Sequence, residues 1–168
     1  MSAFDEAFEN TAKLEGGAPY GITEDVAKKN GYTGALSELP LETAKDIHRS
    51  AYWRPLHLDN IAALSQPVAL KLFDIAVNAG GRTAARFLQR SLNALNRQQA
   101  DYPDATVDGV IGSKTVAAFG TFIGKRKQQG ETVLLKALAS LQGARYIELA
   151  EAREANEPFV FDWLANRV

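Results

Sequence analysis

Residues 65–80 read SQPVALKLFDIAVNAG. Ser65 is a helix N-cap, with Pro67 in the first turn where its missing N–H costs nothing. Val68, Leu70, Leu72, Phe73, Ile75 and Val77 then cover nearly the whole helix circumference. Only Lys71, Asp74 and Asn78 make a polar strip. A helix apolar almost all round needs neighbours on most sides, so this one is central and buried. Gly80-Gly81 end it. A buried central helix in a chain of 168 residues, with no convincing alternating run elsewhere, predicts an all-α fold.

The flanking segments supply the neighbours. Phe4, Phe8, Thr11 and Glu15 fall at i, i+4, i+7 and i+11, one stripe of a helix that Gly16-Gly17 stop. The last member of that stripe is a carboxylate, expected at the edge of the core. Thr23 caps a short helix from Glu24 to about Asn30, ended by Gly31. Pro40 opens a third segment, with Ala44, Ile47 and Ala51 on one face, that runs into Tyr52-Trp53 and breaks at Pro55. After the central helix, residues 82–96 place Phe87, Leu88, Leu92 and Leu95 inward. A loop with Pro103 and Gly109 follows, then a helix capped by Ser113 that runs through Val116 and Phe119 and, beyond Gly130, a last long helix over 131–153. The tail, with Phe159, Phe161 and Trp163, is too apolar to hang free. A soft boundary falls near residues 80–100.

Composition narrows the chemistry. There is no cysteine, which excludes disulfides, thiolate metal sites and cysteine nucleophiles. Two histidines, His48 and His57, are too few for a histidine-rich metal site and read as surface or packing residues. A net charge of −1 and the lack of a basic recognition helix speak against nucleic acid as a partner. No apolar run approaches the ~18–20 residues of a membrane span. Met1 to Asn10 is acidic, without the basic start of a Sec signal peptide. Synthesis in the cytoplasm is therefore expected, and any action outside the membrane would need an export route. Asp101, Asp104 and Asp108 invite an EF-hand reading, which their spacing and the missing terminal Glu argue against.

Leu14-Glu15-Gly16-Gly17 followed by Tyr20-Gly21-Ile22-Thr23 resembles the signature of the glycoside hydrolase family 108 muramidases, found in phage endolysins and secreted-toxin loci. Ala51-Tyr52-Trp53 resembles that family's Tyr-Trp motif, and Phe73 to Gly80 its central helix. Gln89 to Asn93, then Asp108-Gly109-Val110-Ile111-Gly112 with Thr115, resembles the peptidoglycan-binding half that accompanies it. The closing Phe161 to Val168 also fits. The order of the motifs carries more weight than any one of them. The resemblance implies a lysozyme-like catalytic half over residues 1–95 packed with a helical peptidoglycan-binding half over 96–168 in one compact body. It implies cleavage of the β-1,4 bond between N-acetylmuramic acid and N-acetylglucosamine. Bacterial peptidoglycan would be the partner of a monomer, with a holin or other export machinery as a further one. No metal or cofactor is expected. One departure stands out. Only Ala18 and Pro19 separate Gly17 from Tyr20, where family members carry a longer loop rich in Asp, Pro and Gly. In many lysozyme-like enzymes that loop carries a second carboxylate.

Under this resemblance Glu15 is the general acid that protonates the leaving oxygen of an oxocarbenium-like transition state. Burial at the edge of the core would raise its pKa toward about 6, and the glycines beside it leave room for a sugar. Thr23 either positions a water or serves as the N-cap. Tyr20 either lines the cleft or packs. Tyr52 and Trp53 either stack on sugars or belong to the core. Asp74 and Asn78 form an i, i+4 pair that contacts substrate or supports Glu15. Arg82, Arg86 and Arg90 share one face, which meets wall carboxylates or is simply solvated. Two other outcomes stay open: a lytic transglycosylase at the same bond, and a non-catalytic wall-binding module.

Overall fold

The computed structural model describes residues 1–14 and 18–168. Among the described residues there are eight α-helices and no strand, so the all-α reading holds. Helix α1 (Ala3–Leu14) opens with a reciprocal cap: Asp5 N–H donates to Ser2 Oγ at 3.1 Å and Ser2 N–H to Asp5 Oδ2 at 3.3 Å. It buries Phe4, Ala7, Phe8 and Thr11, the expected stripe as far as it is described. Helix α2 (Glu24–Lys29) is capped by Thr23, whose Oγ accepts from Val26 N–H at 3.4 Å.

Helix α3 (Leu41–His48) runs into a wider π-helical turn, Arg49–Trp53. Pro55 does break the segment, yet the chain resumes at once as α4 (Leu58–Ala62), entered through His57 in a left-handed conformation with φ 50°. The buried Leu56, Leu58 and Ile61 drive that short helix.

Helix α5 (Gln66–Ala79) is the central one, begun by Ser65 Oγ accepting from Val68 N–H at 3.3 Å. It contacts α1, α4, the π-helical turn, α6 (Gly81–Leu95) and α7 (Ser113–Ala152). Val68, Ala69, Leu72, Phe73, Ile75 and Ala76 are fully buried in it. One continuous apolar core runs from Phe4 on α1 through α5 and α6 to Leu138 on α7.

The expected division into two helices holds, but its position is corrected: they meet at a kink at Lys127, with φ 51° and ψ −144°, three residues before Gly130. Gly130 belongs to the same feature, because a Cβ there would collide with Arg126 Cβ. Helix α8 (Glu157–Arg167) packs on α7 through the rings of Trp163 and Tyr146, 5.2 Å apart. Its outer face leaves Phe159 and Phe161 exposed, so the tail is docked by fewer of its aromatics than its composition suggests.

Candidate functional site

Two regions gather polar chemistry. The first surrounds the C-terminal end of α1. Asp74, on the inward polar strip of α5, forms a buried ion pair with Arg167 from the end of α8. The second Asp74 oxygen accepts from Gln142 Nε2 on α7 at 3.1 Å, and that amide also donates to Tyr146 Oη at 2.8 Å. Arg167 reaches further and donates to the Leu14 carbonyl at 3.3 Å. Lys71 donates to the Arg167 carbonyl, and burial lowers the Lys71 pKa against the opposing pull of Asp74. Two helices, α5 and α7, thus meet at the last turn of α8, and Arg167 links them to the backbone of the residue before Glu15. Glu15, Gly16 and Gly17 lie outside the described residues.

Across the Gly17–Tyr20 connection, Tyr20 is half-buried with φ 55°, and its ring lies 5.9 Å from that of Phe8. A non-glycine residue in this conformation needs outside support. His48 gives it, with Nε2–H donating to the Tyr20 carbonyl at 2.8 Å. His48 is buried between the rings of Phe8, Tyr52 and Phe73, so it is a packing residue and not a surface one. Burial lowers its pKa more than the Tyr20 bond raises it, and its Nδ1 has no hydrogen-bond partner among the described residues.

The other candidates are placed as follows. Trp53 is 1% exposed; its indole N–H donates to Asp59 Oδ1 at 2.8 Å and its ring meets Phe4 and Phe73 nearly edge-on. Of its two readings, packing matches these surroundings. Tyr52 is half-buried beside His48 and Phe73. Thr23 is exposed while capping α2. Asn78 is half-buried on α5. Arg82, Arg86 and Arg90 are exposed.

The second region is a groove of about 740 Å³ between α6, the loop over 96–112 and the start of α7. Its wall is pinned by amides on the inner face of α6. Gln89, 1% exposed, donates to Asp108 Oδ1 at 2.8 Å and to the Val110 carbonyl at 2.9 Å, and accepts from Gly109 N–H at 3.0 Å. Gly109 needs to be glycine: φ is 79°, and a Cβ would meet the Arg82 carbonyl at 3.2 Å. Asn93 exchanges two hydrogen bonds with Ala105, of 2.8 and 2.7 Å, as a neighbouring strand would. Asn96 donates to Asp104 Oδ1 at 2.5 Å. The Gln89 amide, then the Val110 N–H, hold the Asp108 carboxyl below its ordinary pKa. Asp101, whose carboxyl is nearly enclosed, takes Arg97, Lys125 and Arg126. Those bonds, Arg97 first, hold it well below the usual carboxylate range. No cluster of potential metal ligands occurs among the described residues.

Reading the sequence missed the roles of Arg167 and Gln142, and it left His48 open between the surface and the packing that the structure shows. The amide ladder had a local signal: Gln89, Asn93 and Asn96 recur at i, i+4 and i+7 on the face that carries Leu88 and Leu92.

The helical architecture and these two regions agree with what the chain matches. Residues 8–80 match the family described as glycosyl hydrolase 108. Residues 83–168 match the family described as predicted peptidoglycan domain. No curated protein shows a significant match to the chain. The first match spans Glu15 and Asp74, and the second spans the groove and Arg167. The chain therefore belongs to the predicted peptidoglycan domain family through its second half, and its first half matches glycosyl hydrolase family 108, a glycoside hydrolase family.

Proposed function

We propose that the protein is an N-acetylmuramidase that hydrolyses the β-1,4 bond between N-acetylmuramic acid and N-acetylglucosamine, with Glu15 as general acid. The observation that carries the reading is the pair of matches: a glycosyl hydrolase segment that includes Glu15, joined to a peptidoglycan segment. The brace beneath Leu14 supports it. A general acid gains from a fixed approach to the leaving oxygen, and Arg167 ties the residue preceding Glu15 to a buried carboxylate.

In the reaction the glycosidic C–O bond breaks as the leaving oxygen takes the Glu15 proton. Water adds to the anomeric carbon and returns a proton to the site. Thr23, exposed beyond the Gly17–Tyr20 connection, is the hydroxyl proposed to orient that water, and Tyr20 and Tyr52 the rings proposed at the cleft. The short connection favours a second reading, a wall-binding module without turnover. Digestion of purified sacculi, read by mass, separates the outcomes. A hydrolase leaves a reducing muramic acid. A transglycosylase leaves an anhydro product lighter by one water. A binding module stays on the sacculi and releases nothing. Action in the periplasm or on the wall, after export or lysis, follows from this substrate.

A further inference from the structure

The groove between α6 and α7 is large enough for a peptide-sized ligand, since binding pockets run about 300–1,000 Å³. Peptidoglycan offers it two chemically distinct parts. The glycan strand is rich in hydroxyls and acetamides on rings whose apolar faces seek exposed aromatic planes. The stem peptide carries free carboxylates and, at its diamino acid, an amine. The lining discriminates between them. Its aromatic residue, Tyr102, is 6% exposed, and its hydroxyl is committed to the Leu92 carbonyl at 2.8 Å. Burial, then the nearby Asp101, raises the Tyr102 pKa to about 12. It supplies an edge of wall, with little ring face to offer a sugar.

Charges of both signs line the same groove. Asp104 and Asp108 are each oriented through Oδ1, by Asn96 and Gln89. Their Oδ2 atoms accept no hydrogen bond among the described residues, while the nearby Arg82 guanidinium adds an attraction at Asp108. Lys114 lines the groove without a carboxylate partner among the described residues. Ordered carboxylates and an unpaired ammonium in one concavity recognise a ligand that bears both charges.

We propose that this groove binds the peptide stem of peptidoglycan and not its glycan strand, the stem amine meeting Asp104 and Asp108 and a stem carboxylate meeting Lys114. The proposal rests on the reading of the chain as peptidoglycan-directed. It gives the second half a task distinct from that of Glu15: holding the wall by its peptides while the glycan is presented to the first half.

The test uses the full chain, with stem tetrapeptide released from sacculi by an amidase, the peptide-free glycan strands left behind, and intact sacculi. Titration calorimetry should show the wild type binding the tetrapeptide and not the stripped strands. Lys114→Glu and Asp104→Asn should each weaken tetrapeptide binding about tenfold or more, the scale of one lost charge-assisted contact. Their melting temperatures should stay near that of the wild type. Stripped strands bound as tightly as sacculi, with no tetrapeptide binding, would overturn the stem assignment and leave the peptidoglycan reading standing. Tetrapeptide bound equally well by the variants would overturn the location. Wild type that is not retained on sacculi would remove the underlying reading itself.

Discussion

At the residue scale, two buried polar groups carry the most consequence. The Asp74–Arg167 pair is nearly enclosed, and removing one member strands the other. Arg167→Met should therefore cost about 3–5 kcal/mol in denaturant unfolding. Adding Asp74→Leu removes the stranded carboxylate and should restore much of that loss. Activity on sacculi should not return with stability, because the tie to the Leu14 carbonyl is still gone. Equal recovery of both would reduce the pair to packing. His48 behaves differently. Its Nε2–H serves Tyr20 in either protonation state, whereas a proton on Nδ1 finds no acceptor among the described residues. Its folded pKa lies below the ordinary 6.5, so the unfolded chain binds the proton more readily. The stability gained from a neutral His48 is complete above pH 6.5. It is lost as pH falls from there through the folded value. Urea midpoints measured between about pH 7.5 and 5 should fall for the wild type and stay flatter for His48→Gln. Parallel slopes in the two proteins would mean that the acid sensitivity lies elsewhere.

At the element scale, the central helix was the most legible part of the chain. Its all-round apolarity from Val68 to Val77 leaves burial as its only stable option, and Phe73 is indeed fully enclosed by α5's neighbours. Phe73→Ala should cost about 3–5 kcal/mol, and a loss under ~1 kcal/mol would mean the site collapses or the helix is misplaced. Helix ends were legible at Ser65 and Thr23, which cap as expected; the expected cap at Ser113 is corrected, because Ser113 is the first helical residue and Gly112 takes the cap position without a side-chain bond. The kink in α7 was half legible. Gly130 signalled it, but the left-handed residue is Lys127, whose side chain announces nothing. What the glycine provides is room for Arg126, and that only geometry reveals. Gly130→Ala should destabilise by about 1–3 kcal/mol through overpacking; an unchanged melting temperature would show that the kink relaxes freely. The Asp74 brace was legible only from one side. A carboxylate on an apolar helix announces a partner, yet the partner lies 93 positions away at Arg167, and local periodicity carries no record of such a distance.

At the scale of the whole molecule, one core joins the segment that matches a glycosyl hydrolase to the segment that matches a peptidoglycan domain. The last turn of the second reaches back to the end of α1 in the first. The two matched segments are therefore joined through packing, and no helix among the described residues is long and apolar enough to cross a membrane. Glu15 is a candidate through the family resemblance, to which its helical stripe adds, and it lies outside the described residues. The measurement that tests the central claim most directly is turnover of purified sacculi by Glu15→Gln. Glutamine keeps the size of the side chain and removes the acidic proton. Muropeptide release should fall at least ~100-fold, the lower end for general acid catalysis, while folding and sacculus binding persist. Release at the wild-type rate would contradict the assignment of the chemistry to Glu15.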